Sequence, residues 1–276
     1  MNQKNKMSIQ TMALGAVLTA LVVVLFAADM MVGSVGISAK DVLAALMGGG
    51  DPVTRKIVID LRLMKAIVAI LAGAALSVSG LQMQTLFRNP LAGPYVLGVS
   101  SGASLGVALF ILGAPLLGIG GSAWLSTVGV AGAAWIGAAA ILAVVAAVSQ
   151  RIKDIMVILI LGMMASSGVS AIVQILQYMS NEEALKSFVI WTMGSLGEIT
   201  LSQLSFIAPI IILGIALAVF TIKPLNILLL GESYAVTSGV NLTTVRRTIF
   251  ISTTLLAGTI TAFCGPIGFV GIATPH

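Results

Sequence analysis

Apolar runs that no soluble fold would need set the limits on this chain. Ile9–Met31, Trp124–Val148, Ile155–Met179 and Leu201–Ile222 each hold at most one charged residue. A bilayer core is crossed by roughly 20 apolar residues in a helix. Lipid offers backbone groups no partner, so runs of this length become helices whose hydrogen bonds close internally. Barrel strands would be about 10 residues long with alternating polarity, which these runs are not. The rest of the chain agrees: 8% of residues are charged and mean hydropathy is +1.12, whereas soluble domains carry about 25% charged residues. A soluble enzyme, a disordered chain and a disulfide scaffold are excluded. The expected fold is all-α, a polytopic transmembrane helical bundle.

Three further apolar stretches, Leu63–Leu86, Tyr95–Leu112 and Thr248–Cys264, bring the expected crossings to seven. Pro275-His276 looks like the start of an eighth, as though the chain were interrupted there. Met1–Lys6 and the run behind it could mimic a signal peptide. Asp29-Met30-Met31 is a poor cleavage site, so a retained first span is expected. With the N-terminus cytoplasmic, the inner loops hold Lys4, Lys6, Arg88, Arg151, Lys153, Lys223, Arg246 and Arg247. The outer segments hold Lys40, Arg55, Lys56, Arg62, Lys65 and Lys186. The basic excess favours this orientation only slightly, and the outer cluster Arg55–Lys65 is what weakens it.

A shift of 185 residues lays Arg62 on Arg247, Leu71-Ala72-Gly73 on Leu256-Ala257-Gly258, Gly80 on Gly265 and Pro90 on Pro275. The copies follow one and six crossings, so they traverse the membrane in opposite senses, the pattern of an inverted repeat. The expected organisation is one transmembrane domain, 1–276, interrupted at its C-terminus, with a first repeat over about 61–180 and a second beginning near 246.

Residues for bond chemistry are lacking. There is no Gly-x-x-x-x-Gly-Lys-Ser/Thr loop to cradle phosphates. Cys264 is a lone cysteine in an apolar run, His276 is the only histidine, and no metal-ligand spacing occurs. Neither catalytic residues nor a metal nor a cofactor is expected. The excess of basic residues is explained by topology rather than nucleic acid. No span holds a deep carboxylate or histidine of the kind ion-coupled carriers use. That weakens an ion-coupled secondary transporter of a small apolar or zwitterionic solute, which stays open as the alternative.

Candidate sites therefore concern packing, partners and a pathway. Gly98, Gly102 and Gly106 repeat at the spacing that lets helix backbones approach; packing or a pathway lining would both use them. Met163, Met164 and Ser167 could fill a core or line an adaptable path for a bulky ligand. Arg62 and Lys65 share a helix face; they either snorkel to headgroups or receive an acidic partner surface. The turn Arg88-Asn89-Pro90-Leu91-Ala92-Gly93-Pro94 breaks the helical pattern. In the segment Lys223–Val240, about long enough for two short helices around Gly231, the first half is apolar but too short to span. It suits a protein partner or an interfacial helix on lipid.

Together these segments resemble the permease subunits of ATP-binding-cassette importers for ferric siderophores, haem and cobalamin. The resemblance rests on Leu61-Arg62-x-x-Lys65, Gly73-Ala74-Ala75-Leu76, Ser79-Gly80 and Gln84, on Arg88-Asn89-Pro90-Leu91-Ala92-x-Pro94, and on Leu97-Gly98-Val99-Ser100-x-Gly102-Ala103. Trp191-x-x-Gly194-Ser195-Leu196, Leu225-Asn226-x-Leu228-x-Leu230-Gly231-Glu232 and Gly265-Pro266-Ile267-Gly268-Phe269-Val270-Gly271 complete it. It implies a ten-span subunit of a prokaryotic cytoplasmic (inner) membrane, of which about seven spans lie here. A second permease subunit, identical or related, would pair with it in the bilayer. Two cytoplasmic ATPase subunits and an extracytoplasmic solute-binding protein are the other implied partners. It assigns ATPase coupling to Leu225, Asn226, Leu228, Leu230, Gly231, Glu232 and Gly239, and binding-protein docking to Arg62 and Lys65. Two departures stand out: Met64 and Lys65 replace the proline and second arginine that relatives commonly carry, and lysine lacks arginine's fork.

Overall fold

The computed structural model describes residues 3–33, 35–113, 127–149, 151–152 and 154–275. Among them every regular element is helical: α1 Gln3–Met31, α2 Ala39–Leu46, α3 Pro52–Lys56, α4 Met64–Phe87, α5 Val99–Ala108, α6 Thr127–Ser149, α7 Ile155–Met179, α8 Glu182–Met193, α9 Leu201–Leu228, α10 Glu232–Thr237, α11 Leu242–Thr253, α12 Thr259–Cys264 and α13 Val270–Ala273. Wider π-type turns at Ile57–Leu63, Leu109–Gly113 and Thr254–Gly258 join or extend some of these. Five described helical stretches are long and apolar enough to cross a membrane: Gln10–Met31, Gly129–Ser149, Ile155–Met179, Leu201–Leu228 and Leu242–Cys264. Val99–Gly113 is apolar but shorter. The stretch expected to begin at Trp124 is described only from Thr127.

Polar residues set the starts. Asp154 accepts from the Met156 amide, Asn181 from Ala184 and Asn241 from Thr244. Thr200 and Gln203 close a reciprocal capping box on α9. α9 then runs through Pro209 and Pro224 without ending. Residues 223–228, expected as a separate short helix, are the last turns of this span. A membrane helix tolerates proline where neighbours re-satisfy the freed carbonyls. α11 likewise starts six residues before the expected Thr248, because Asn241 supplies a cap and Arg246 and Arg247 ride on the helix.

The chain divides into two compact units, one up to Ala69 and one from Ile70 on. In the first, every residue of α1 from Gln10 to Leu25 is exposed, as a lipid-facing span would be. Its far end, at Met30, packs with Ile37, Val42, Ala45, Val58 and Ala66 in a small core. In the second, α5 and α6 approach most closely. An added Cβ on Gly102 would strike the Gly137 carbonyl, one on Gly106 the Ala133 carbonyl, and one on Gly137 the Gly102 carbonyl. Gly98 faces Ile141 and Ser166. The spacing that allowed packing or a pathway is here a packing seam, with backbones in contact where side chains would have kept them apart.

Candidate functional site

The C-terminal end of α9 is where the assigned coupling residues gather. Leu225 and Leu228 are buried; Leu228 is 1% exposed. They anchor the end of the helix, and the exposed part of the segment lies around and beyond them. Beyond Leu228 the chain tightens through Leu230 N–H to Ile227 O and Gly231 N–H to Leu228 O, both 3.0 Å. Gly231 then turns with φ 126°, a region that a Cβ disfavours. α10 follows, and the chain turns away after it at Gly239 (φ 83°), with Val240 N–H reaching back to Ala235 O at 2.9 Å. The apolar side chains it exposes are Leu229, Leu230 at 68%, Tyr234 and Val236, with the polar Ser233, Thr237 and Ser238 exposed among them. Asn226 is exposed beside them.

Two arginines brace that end. Arg88, with φ 48°, donates through Nη2 to the carbonyl of Leu228. It adds a second donor, beside the Gly231 N–H, to a carbonyl at the helix C-terminus and complements the negative dipole end there. Arg246 pairs with Glu232 at 2.9 Å and donates to Ile152 O at 3.3 Å. The ends of α4 and α9, the start of α7 and the whole of α10 thus meet at one place. A hollow of about 650 Å³ lies there, between Phe87, Arg88, Met156 and the Leu230–Tyr234 turn. From the sequence Arg246 reads only as a loop charge, and Arg88 as a loop charge that opens the turn to Pro94. Arginine directly after a span, next to Asn-Pro, was the available signal for Arg88.

The turn after α4 meets the chain's last described segment. Gln84 Nε2 donates to Ile272 O at 2.9 Å. Cβ atoms on Gly80 and Gly93 would overlap Gly271 and Ile272. At Gly265, φ 76° ends α12, and a side chain would collide with the Trp191 carbonyl and with Gly194. Ser195 N–H bonds Cys264 O there at 2.8 Å. The motif residues Gly80, Gln84 and Gly271 thus come together at one place, and Trp191, Gly194 and Gly265 at another. Gly80 lies inside α4 whereas Gly265 terminates a helix, so positions paired by the 185-residue shift differ in conformation.

In the first unit Arg62 is 7% exposed. Its Nη1 donates to Met30 O and Met31 O, both at 2.9 Å, and its Nη2 to Val35 O. Gly33 leaves the guanidinium room: a Cβ would stand 2.8 Å from Nη2. Arg62 therefore holds the C-terminal carbonyls of α1, whereas Lys65 carries the exposed cation, 3.0 Å from Asp29. Met163, Met164 and Ser167 lie on a face of α7 that this chain leaves open. They fill no core, and Ser167 bonds only back to Met163 O, at 3.1 Å.

The model of the FecCD transport family matches residues 18–276. The hemin transport system permease protein of Yersinia pestis is 36% identical over 227 residues, 79% of this chain and 64% of that one. The molybdate import system permease protein of Haemophilus influenzae is 34% identical over 231 residues, 82% of this chain and 65% of that one. The chain thus spans just under two thirds of the length of these two relatives. A solved structure described as an inward-facing metal-chelate type ABC transporter superposes with a TM-score of 0.79 at 31% identity, over 94% of this chain and 78% of that one.

Proposed function

The chain belongs to the FecCD transport family, and on that premise we propose that it is a membrane-spanning permease subunit of an ATP-driven importer of a metal chelate. Ferric siderophore, haem and cobalamin are the substrate class. Hemin transport by the Yersinia pestis relative and the metal-chelate type of the solved neighbour support the choice. The chain forms a conduit and makes or breaks no bonds. Hydrolysis belongs to two cytoplasmic ATPase subunits, and a solute-binding protein delivers the chelate from outside. A second permease subunit completes a path at the bundle interface, toward which the open face of Met163, Met164 and Ser167 is turned. The N-terminus is cytoplasmic, and the spans belong to a ten-span inverted-repeat plan.

The observation that carries this reading is the set of exposed apolar side chains Leu229, Leu230, Tyr234 and Val236 on a turn that Arg88 and Arg246 tie to α4 and α11. An exposed apolar patch on a braced turn suits a protein partner. Force applied there reaches α4 through Arg88 and α11 through Arg246. Lys65, supported by the Arg62-held end of α1, is the cationic point for acidic residues of the binding protein. The test is reconstitution in vesicles with the ATPase and binding protein encoded beside it. ATP-dependent accumulation of radioactive ferric siderophore, haem or cobalamin is expected. Accumulation that persists without ATP and collapses with the ion gradient would overturn the reading.

A further inference from the structure

An open groove of about 1210 Å³ runs between α6 and α11, both walls belonging to stretches able to cross a membrane. Its floor and sides are apolar and small along α6, at Ala139, Ala143 and Ala147, and larger along α11, at Phe250 and Ile251. One end is charged. Arg246 is committed to Glu232 at 2.9 Å, and Arg247, the next residue, is exposed and also lines the groove. The charged end therefore carries two guanidiniums against one carboxylate.

We propose that this groove binds a phospholipid with an anionic headgroup, its phosphate at Arg247 and one acyl chain along the alanine wall of α6. Length supports this occupant. The groove reaches from Ser149 at the end of α6 to Trp135, about 21 Å at 1.5 Å per residue. One leaflet contributes about 15 Å of hydrocarbon, so headgroup and chain fit the charged and apolar parts in register. A soluble anion could use the arginine but none of the apolar wall. Basic pockets between membrane helices attract anionic headgroups by about 1 kcal/mol per cation near the surface. This goes beyond the transport reading; it rests on this face of the bundle meeting lipid, and the charged end adjoins the α10 turn through Glu232, Ser233 and Val236.

The test is native mass spectrometry of the purified full chain in neutral detergent, with phosphatidylglycerol or phosphatidylcholine of identical acyl chains added. Phosphatidylglycerol should be retained about five-fold over phosphatidylcholine, the ratio one such cation provides. Arg247→Ala should bring the ratio close to one, and Ala143→Phe, which fills the groove, should lower retention of both lipids. Glycerol phosphate should not displace the lipid. Equal retention of the two lipids by the wild type overturns the assignment, as does an unchanged preference in Arg247→Ala. Displacement by glycerol phosphate would make it a free-anion site and overturn it too. If either variant fails to fold, the wild-type comparison still decides.

Discussion

Gln82 donates through Nε2 to Thr221 Oγ1 at 3.0 Å, joining α4 to α9 across 139 residues of sequence. Ser252 of α11 lies on the other side, 3.1 Å from Gln82 Oε1 and 2.9 Å from Gly214 O. All three side chains are buried. A polar knot inside an otherwise apolar bundle ties three helices at one level, and each member has a partner. Thr221 also donates to Ala218 O at 2.7 Å, so both hydroxyls retain a carbonyl when Gln82 is removed. Gln82→Leu should therefore cost only about 1 kcal/mol, the range of interhelical hydrogen bonds in membranes. Reversible unfolding in mixed micelles measures it. A loss above about 3 kcal/mol would mean that the knot leaves a buried group stranded.

The α5–α6 seam separates two kinds of glycine. Gly102→Ala places a methyl against the Gly137 carbonyl and should destabilise by about 1–3 kcal/mol, as overpacking does. Gly132→Ala, in α6 with nothing near its Cβ position, should gain up to about 1 kcal/mol from helix propensity. Paired unfolding curves give the sign of each. Equal effects would show that the seam is looser than the backbone contacts require.

Arg62 and Lys65, three residues apart, should part company on mutation. Arg62→Ala removes donors from two carbonyls at the end of α1 and one beyond it and should cost about 2–3 kcal/mol, the range for charged hydrogen bonds. Amide exchange should quicken in the residues following Met31. Lys65→Glu breaks only an exposed pair worth below about 1 kcal/mol, leaving exchange there unchanged, while association with the binding protein weakens. Unaltered association in Lys65→Glu would remove the docking role from this end of the molecule.

How much of this was legible depends on the range of the interaction. The long spans show in the sequence because hydropathy is local, and Gly98, Gly102 and Gly106 announced close helix contact by spacing alone. Boundaries were harder where charge or proline stood for a break. Arg246 and Arg247 looked like loop residues, yet Asn241 starts the helix before them, and Pro224 sits inside α9. Arg62 was visible as an exception to the charge rule but not as a clasp on Met30 and Met31, since its partners lie 32 and 31 residues away. The Gln82 knot gave no local signal at all. Single polar residues in apolar runs do not say which helix they will meet.

Leu228 and Leu230 test the coupling surface most directly, because they are two residues apart and face opposite surroundings. Leu228 is 1% exposed and Leu230 68%. Leu228→Ala opens a cavity under the Arg88-capped end of α9 and should cost about 2–5 kcal/mol. Whatever it does to transport would follow from that loss of fold. Leu230→Asp changes the surface only, so stability should stay within about 0.5 kcal/mol. It nonetheless puts a charge among the exposed apolar side chains and should release the ATPase on co-purification, leaving vesicle uptake at background. If Leu230→Asp keeps the ATPase bound and uptake intact, the turn is not the coupling surface. The bracing by Arg88 and Arg246 would then serve the bundle alone.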